Sequence, residues 1–384
     1  MTHEYSSNDI YDSVTEARVN ALGDFGFTQR QREFLVAVMV HSGCFLERQY
    51  CAFTRTARGQ NSRTFMARLV DRGLVRAIEA GPVRRGRLYH VHHKPLYEAI
   101  GLGDDRNRRL NSIGRVVERV MALDAVLGDR QCWWLSPAED KRTFFDARES
   151  GLRDEEYPHI SFGTGRDKII RCFPDKLPIG IDKEDTGRFV FLYLVTRRIP
   201  IDFRQFLIRH HTLFLNLHTW TVRLLLPRRF RKAVALYKAA VREQLWTPLD
   251  PSVSKALETY FPERQAQGGH FGDPDDRYIR EEFRAQGMPK IQALYRAWRR
   301  EGDRVLWSAH STTLRDARSH GCSAIEVEAL HRQYLQLAGM KDRDAWAKRG
   351  AKRKSHQVGP PVSTSSPGSL TPLVGDEREP QASA

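Results

Sequence analysis

The chain has 384 residues, with 62 Lys and Arg against 47 Asp and Glu, a formal net charge of +15. This length allows two or three domains, and an apolar content of 40% can fill their cores. The positive surplus favours an anionic partner, most often nucleic acid. The longest apolar run, residues 189–195, is too short to span a membrane. The five cysteines (Cys44, Cys51, Cys132, Cys172 and Cys322) include no C-x-x-C pair, and an odd number argues against a disulfide framework. With a polar, acidic N-terminus in place of a signal peptide, a reduced, cytoplasmic protein is expected.

Residues 1–24 are polar and expected to be a flexible N-terminus, although residues 10–22 could form one helix. Residues 25–101 predict a winged helix-turn-helix domain. Thr28 caps a helix over 28–40 whose buried side carries Phe34, Leu35, Val38 and Val40, and Gly43 breaks it. Residues 46–53 form a second, shorter helix. A third follows from Asn61, with Phe65, Met66, Leu69 and Val70 sharing one face, and Gly73 stops it. Residues 74–78 and 88–91 read as strands joined by the Gly81-Pro82 turn and a basic tip, Arg84-Arg85-Gly86-Arg87. In such a domain the third helix enters the major groove and flanking groups hold phosphate. The groove residues predicted are Asn61, Ser62, Arg63, Thr64 and Arg68, with Ala67 on the same side. Arg84, Arg85 and Arg87 are predicted to touch phosphate or the minor groove.

Residues 102–128 predict a connecting helix whose apolar stripe either joins the next domain or forms a dimer seam. Residues 129–250 predict a mixed-direction α/β sheet domain, with β-like runs at 131–135, 143–145, 169–175, 177–181 and 188–196. A helix over 201–217, a strand over 220–226 and an amphipathic helix over 228–245 complete it. Residues 251–341 read as a helical extension with helices near 252–261, 276–285, 288–301 and 326–337. Residues 342–384 are basic, then rich in Ser, Pro and Gly, and read as a disordered tail. The fold class expected is therefore α+β or α/β: winged helix, mixed sheet, helical extension, tail.

The winged helix, followed by Phe173-Pro174-Asp175 and then the apolar strand of residues 188–198, resembles the plasmid replication-relaxation family of bacterial mobile elements. That resemblance implies a sheet domain similar to restriction endonucleases and a role on plasmid or integrated-element DNA. It also implies a chemical test. Such nucleases hold Mg²⁺ through an Asp after Pro and an acidic residue two positions before a Lys on the next strand. Asp175 matches the first position. The next strand, residues 189–195, carries neither a carboxylate nor a Lys. The domain is therefore expected to be a nuclease-like scaffold without activity, needing no cofactor.

Other clusters predict little chemistry. His90, His92 and His93 do not converge as zinc ligands, and His210, His211 and His218 lie among apolar residues. Residues 163–168 lack the full phosphate-loop pattern. The leading expectation is a sequence-specific binder of double-stranded DNA in replication, mobilisation or transcriptional control. The partners expected besides duplex DNA are a second copy of the chain and replication or relaxosome proteins, with no membrane partner. The alternatives are a metal-dependent nuclease using Asp175 with Mg²⁺, and an adaptor that binds protein only.

Overall fold

A computed structural model of the chain describes residues 10–78, 87–110, 112–148, 152–163, 169–266, 283 and 287–330. Both α and β elements are present, and the described residues belong to one compact unit. The expected basic tip at Arg84 and Arg85, most of the 276–285 helix and the tail from 342 lie outside the described residues.

The N-terminal lobe begins with helix α1 (Glu16–Asn20) and continues through α2 (Gln29–His41), β1 (Cys44–Leu46), α3 (Glu47–Thr54), α4 (Gln60–Asp71), β2 (Val75–Ile78) and β3 (Leu88–Val91). The three strands form an antiparallel sheet in the order β1-β3-β2. Phe34, Leu35, Phe45, Phe65, Leu69 and Tyr89 fill the space between helices and sheet. Each fully buried aromatic of this kind contributes about 2–3 kcal/mol. Gly43, at φ +70°, lets the chain turn out of α2 where a Cβ would lie 2.3 Å from the Asn107 carbonyl oxygen. The Asn107 amide in turn donates to Met39 O at 2.9 Å, so the 3-10 turn Arg106–Arg108 is fastened beneath α2. A short helix, α5 (Lys94–Ala99), sits between β3 and that turn.

Helix α6 (Ile113–Gly128) then crosses to the second lobe. Val116 and Val120 pack on Cys44, Leu46 and Leu88 of the first lobe. Val117, Met121, Ala125 and Val126 pack on Val190, Leu192 and Leu225 of the second. The apolar faces of α6 are thus covered within one chain. The helix is shorter than the 102–128 span expected, because the preceding residues form the 3-10 turn.

The second lobe is built on a five-stranded sheet in the order β10-β9-β8-β7-β4. Its strands are β4 (Cys132–Leu135), β7 (Ile179–Asp182), β8 (Arg188–Leu194), β9 (Thr219–Pro227) and β10 (Ser323–Leu330). β7 runs antiparallel to both its neighbours, β4 and β8, whereas β8, β9 and β10 are parallel. Helix α7 (Ala138–Arg148) and the ribbon β5–β6 (His159–Phe162, Ile169–Cys172) lie between β4 and β7 in sequence. Helix α8 (Ile201–Asn216) crosses from β8 to β9. It covers the core formed by Phe191, Tyr193, Phe203, Phe214 and Trp220. Helices α9 (Val234–Val241), α10 (Pro251–Ala266), α11 (Met288–Glu301), α12 (Arg304–Ala309) and α13 (Thr313–Ser319) complete the lobe.

Several expectations are corrected here. Residues 10–24 are not a loose arm: Ser13 N–H donates to Trp134 O, and Arg18 forms two bonds with the Asp140 carboxylate, at 2.6 and 2.8 Å. Residues 143–145 are helical, because Lys141, Phe144, Phe145 and Arg148 share a face of α7 at helical spacing. The expected helix over 228–245 is a 3-10 turn, the short α9 and a π turn. The expected helix from Glu326 is replaced by strand β10 over its described part, so the described part of 251–341 is not all helical. Arg223 of β9 faces Glu326 across the register and bonds it at 2.9 Å, pinning that strand at the sheet edge.

Candidate nucleic-acid interface

Helix α4 presents two unlike faces. Phe65, Met66 and Leu69 are buried, with Phe65 against Phe27 and Tyr50. Asn61, Arg63, Thr64 and Ala67 are exposed. Val70, expected on the buried face, is 38% exposed and lies near Ala67 on the outward side. Gly73 at φ +65° closes the helix, as a left-handed C-terminal glycine does.

The predicted groove residues divide into two groups. Arg63, Thr64 and Asn61 lie exposed on the outward face, where the Thr64 hydroxyl accepts from Gln60 Nε2 at 3.4 Å. Ser62 does not join them and is corrected. It is buried, its hydroxyl accepts from Gly59 N–H at 3.2 Å, and it donates to Glu47 Oε1 at 2.8 Å. Glu47, itself buried, also takes Arg58 at 2.7 Å. The Ser62–Glu47–Arg58 cluster therefore fixes the angle between α3 and α4. Arg68 is half-buried and committed: it donates to Gln31 Oε1 at 2.7 Å and lies 5.2 Å over the Phe27 ring. Arg72 is likewise tied down, over Phe27 at 5.4 Å and bonded to Phe25 O at 2.6 Å.

Arg87 is exposed at the start of β3, while Arg84 and Arg85 lie outside the described residues. Sequence reasoning missed Arg55, which is exposed at the C-terminus of α3 in a left-handed conformation, φ 56°. Its position five residues before α4 was the available signal. Arg30, exposed in the first turn of α2, was missed too. Among the described residues, no carboxylate pairs with Arg30, Arg55, Arg63 or Arg87.

His90 is buried, with its Nε2 3.1 Å from Asn107 O, and burial lowers its pKa. It serves the junction below the sheet. Among the described residues, no group of three His, Cys, Asp or Glu side chains is placed to hold a metal ion.

Asp175 sits in a different setting. Arg209 of α8 donates to both its carboxylate oxygens at 2.6 Å. The residues on either side of Pro174-Asp175, Phe173 and Lys176, are left-handed at φ 46° and 52°. Lys141 Nζ donates to Leu177 O at 2.7 Å and lies 5.5 Å over the Phe173 ring. Burial pulls the Lys141 ammonium down to about 7 against the opposing pull of Asp175 and Asp140. His210 is buried beside this group and drawn down to about 4. The cavity these residues line is about 10 Å³, less than a substrate needs. The lone carboxylate is held by a guanidinium, and the neighbouring strand β8 supplies no second acid. No family model, curated protein or solved structure matches this chain.

Proposed function

We propose that the N-terminal lobe is a winged helix-turn-helix module and that the protein binds double-stranded DNA sequence-specifically, with α4 in the major groove. The observation that carries this reading is the free, outward Arg63 on a helix whose other arginines, Arg68 and Arg72, are used to anchor it. Arg63 can reach paired acceptors of guanine, Asn61 and Thr64 can contact bases or phosphate, and Ala67 and Val70 offer apolar surface of the kind that meets a thymine methyl. The segment between β2 and β3, with Arg84, Arg85 and Arg87, would be the wing, and Arg30 and Arg55 would add phosphate contacts. The element order and the antiparallel three-stranded sheet support that reading.

The second lobe is read as a scaffold related to restriction endonucleases and lacking their chemistry, with no Mg²⁺ role for Asp175. On the resemblance to the replication-relaxation family, the target would be a plasmid or integrated element, and the role replication, mobilisation or transcriptional control within the cytoplasm. A two-fold symmetric target would make the working form a homodimer.

The test is selection of bound fragments from random host DNA at near-physiological salt, followed by anisotropy titrations on the enriched site. Arg63→Ala is expected to weaken the preferred site by about tenfold and to blur one base position. Arg87→Ala is expected to weaken all duplexes alike and to reduce the salt slope by about one. Recovery of no duplex at moderate salt would sink the reading and transfer the lobe to protein contacts. Unchanged affinity in Arg63→Ala would remove α4 from the groove.

A further inference from the structure

A cavity of about 600 Å³ opens between the N-terminal lobe and the sheet lobe. That volume lies in the range of small-molecule sites. Four cations from four separate elements line it: Arg106 from the 3-10 turn, Arg119 from α6, Arg171 from β6 and Lys176 from the loop before β7. The exposed recognition face of α4 contributes nothing to it.

The charges in this cavity are unequally satisfied. Glu98 is taken by Lys94 at 2.7 Å, and Asp105 by Lys176 at 3.2 Å. Asp104 and Glu139 are exposed. Among the described residues, no carboxylate pairs with Arg106, Arg119 or Arg171. The Nη1 of Arg119 is buried and has no hydrogen-bond partner. Burial lowers the Lys176 ammonium's pKa, Asp105 opposes this, and the Arg119 and Arg106 charges lower it further. The cations of the cavity therefore oppose one another's charge.

A buried N–H donor without an acceptor, such as Arg119 Nη1, is costly, and the neighbouring positive charges of Arg106, Arg171 and Lys176 repel one another. A multiply charged oxyanion would satisfy the donor and offset the repulsion, since arginines take phosphate oxygens through paired, charge-assisted bonds. We propose that this cavity binds a free phosphorylated small molecule of nucleotide size, with its phosphates on Arg119, Arg171 and Arg106. Lys176, already held by Asp105, lines the site as a fixed positive charge.

The proposal does not depend on DNA binding, because the assay contains no duplex. Full-length protein is titrated by calorimetry with inorganic phosphate, pyrophosphate and ATP, and separately with a 5′-phosphorylated single-stranded oligonucleotide. ATP or pyrophosphate is expected to bind more tightly than about 0.1 mM, and Arg119→Met and Arg171→Ala are each expected to weaken that binding by about tenfold or more. Arg115→Ala, an exposed residue of the same helix paired to Glu118, is expected to leave it unchanged. Without ligand, Arg119→Met is expected to melt at or above the temperature of the unmodified protein, because it removes an unsatisfied donor. Failure of ATP and pyrophosphate to bind, or binding that ignores both arginine variants, overturns the proposal. So does binding of the oligonucleotide alone, which would assign the arginines to a nucleic-acid strand. A lower melting temperature for unliganded Arg119→Met would make Arg119 a structural residue and overturn it equally.

Discussion

The arginines on α4 and the charged cluster beneath β7 are both candidate chemistry, yet the fold treats them in opposite ways. Around Asp175, Arg209, Lys141 and His210, each polar group is hydrogen-bonded inside the protein, although the Asp175 side chain keeps 28% exposure. On α4 the inner arginines are consumed in the same manner, but Arg63 is left with nothing to bind. A charge already satisfied by a neighbour has little left for a ligand, because displacing that neighbour costs as much as the ligand supplies. The difference teaches that an unpaired charge on the exterior helix, and not the ion-paired acid, is where a ligand would be bound at little cost.

The largest effect should come from breaking the enclosed cluster. Asp175→Ala leaves Arg209, whose side chain is 12% exposed, without its carboxylate, and removes the charge that supports Lys141. Loss of about 3 kcal/mol of unfolding free energy is expected, with duplex affinity unchanged. Denaturant titration checks it. A carboxylate kept for a metal would behave oppositely, since its removal relieves repulsion and commonly stabilises. An Asp175→Ala protein as stable as the unmodified one would therefore put the metal reading back in play.

Acid should act on the enclosed groups next. Burial lowers His210 and His211 from 6.5 to about 4, and His41, bonded to Ser136 at the junction of the lobes, to about 3. Each has a folded pKa below its unfolded one, so the unfolded chain binds more protons between these values. Stability is then full above about pH 6.5 and falls as the pH drops toward 4, by about 1.4 kcal/mol per pH unit for each proton. The Nδ1 of His211 has no hydrogen-bond partner, so His211→Phe should keep the fold and flatten this slope by one proton. Identical slopes from melts across this pH window would mean that His211 is not titrating there.

The same contrast decides how much was legible in the sequence. The amphipathic period of α4 and the unbroken apolar run of β8 can be read directly, because each records burial on a nearby surface. Strand β10 could not be read with the same ease. Glu326-Val327-Glu328-Ala329-Leu330 alternates as a strand should, but it also begins a plausible helical stripe, and only pairing with β9 from a hundred residues earlier decides between them. Ser136-Pro137-Ala138-Glu139-Asp140 did carry a helix-start pattern for α7, which the neighbouring Phe144 and Phe145 obscured. Within the site, helical spacing separates Phe65 from Arg63. It cannot separate Arg63 from Arg68 or reveal the buried role of Ser62, since Phe27, Gln31 and Glu47 arrive from other elements.

That last distinction yields the smallest and most discriminating prediction. If Arg68 is an anchor, its loss weakens the packing of α4 on α2 and costs stability first. Arg68→Ala removes one bond to Gln31 and the guanidinium stacked on Phe27, an expected loss of about 1–2 kcal/mol. Arg68→Lys keeps the charge but cannot reproduce the planar stack, so it should lose about half as much. Arg63→Ala should leave stability within about 0.5 kcal/mol, because nothing inside the protein depends on it. Paired melts and duplex titrations of the three variants separate the roles. Arg68 variants should lower the melting temperature and bind the preferred site nearly normally below it, whereas Arg63→Ala should melt normally and bind poorly. A stable Arg68→Ala protein with lost site preference would show that Arg68 leaves Phe27 to reach the DNA, and that α4 is freer on its lobe than its bonds imply.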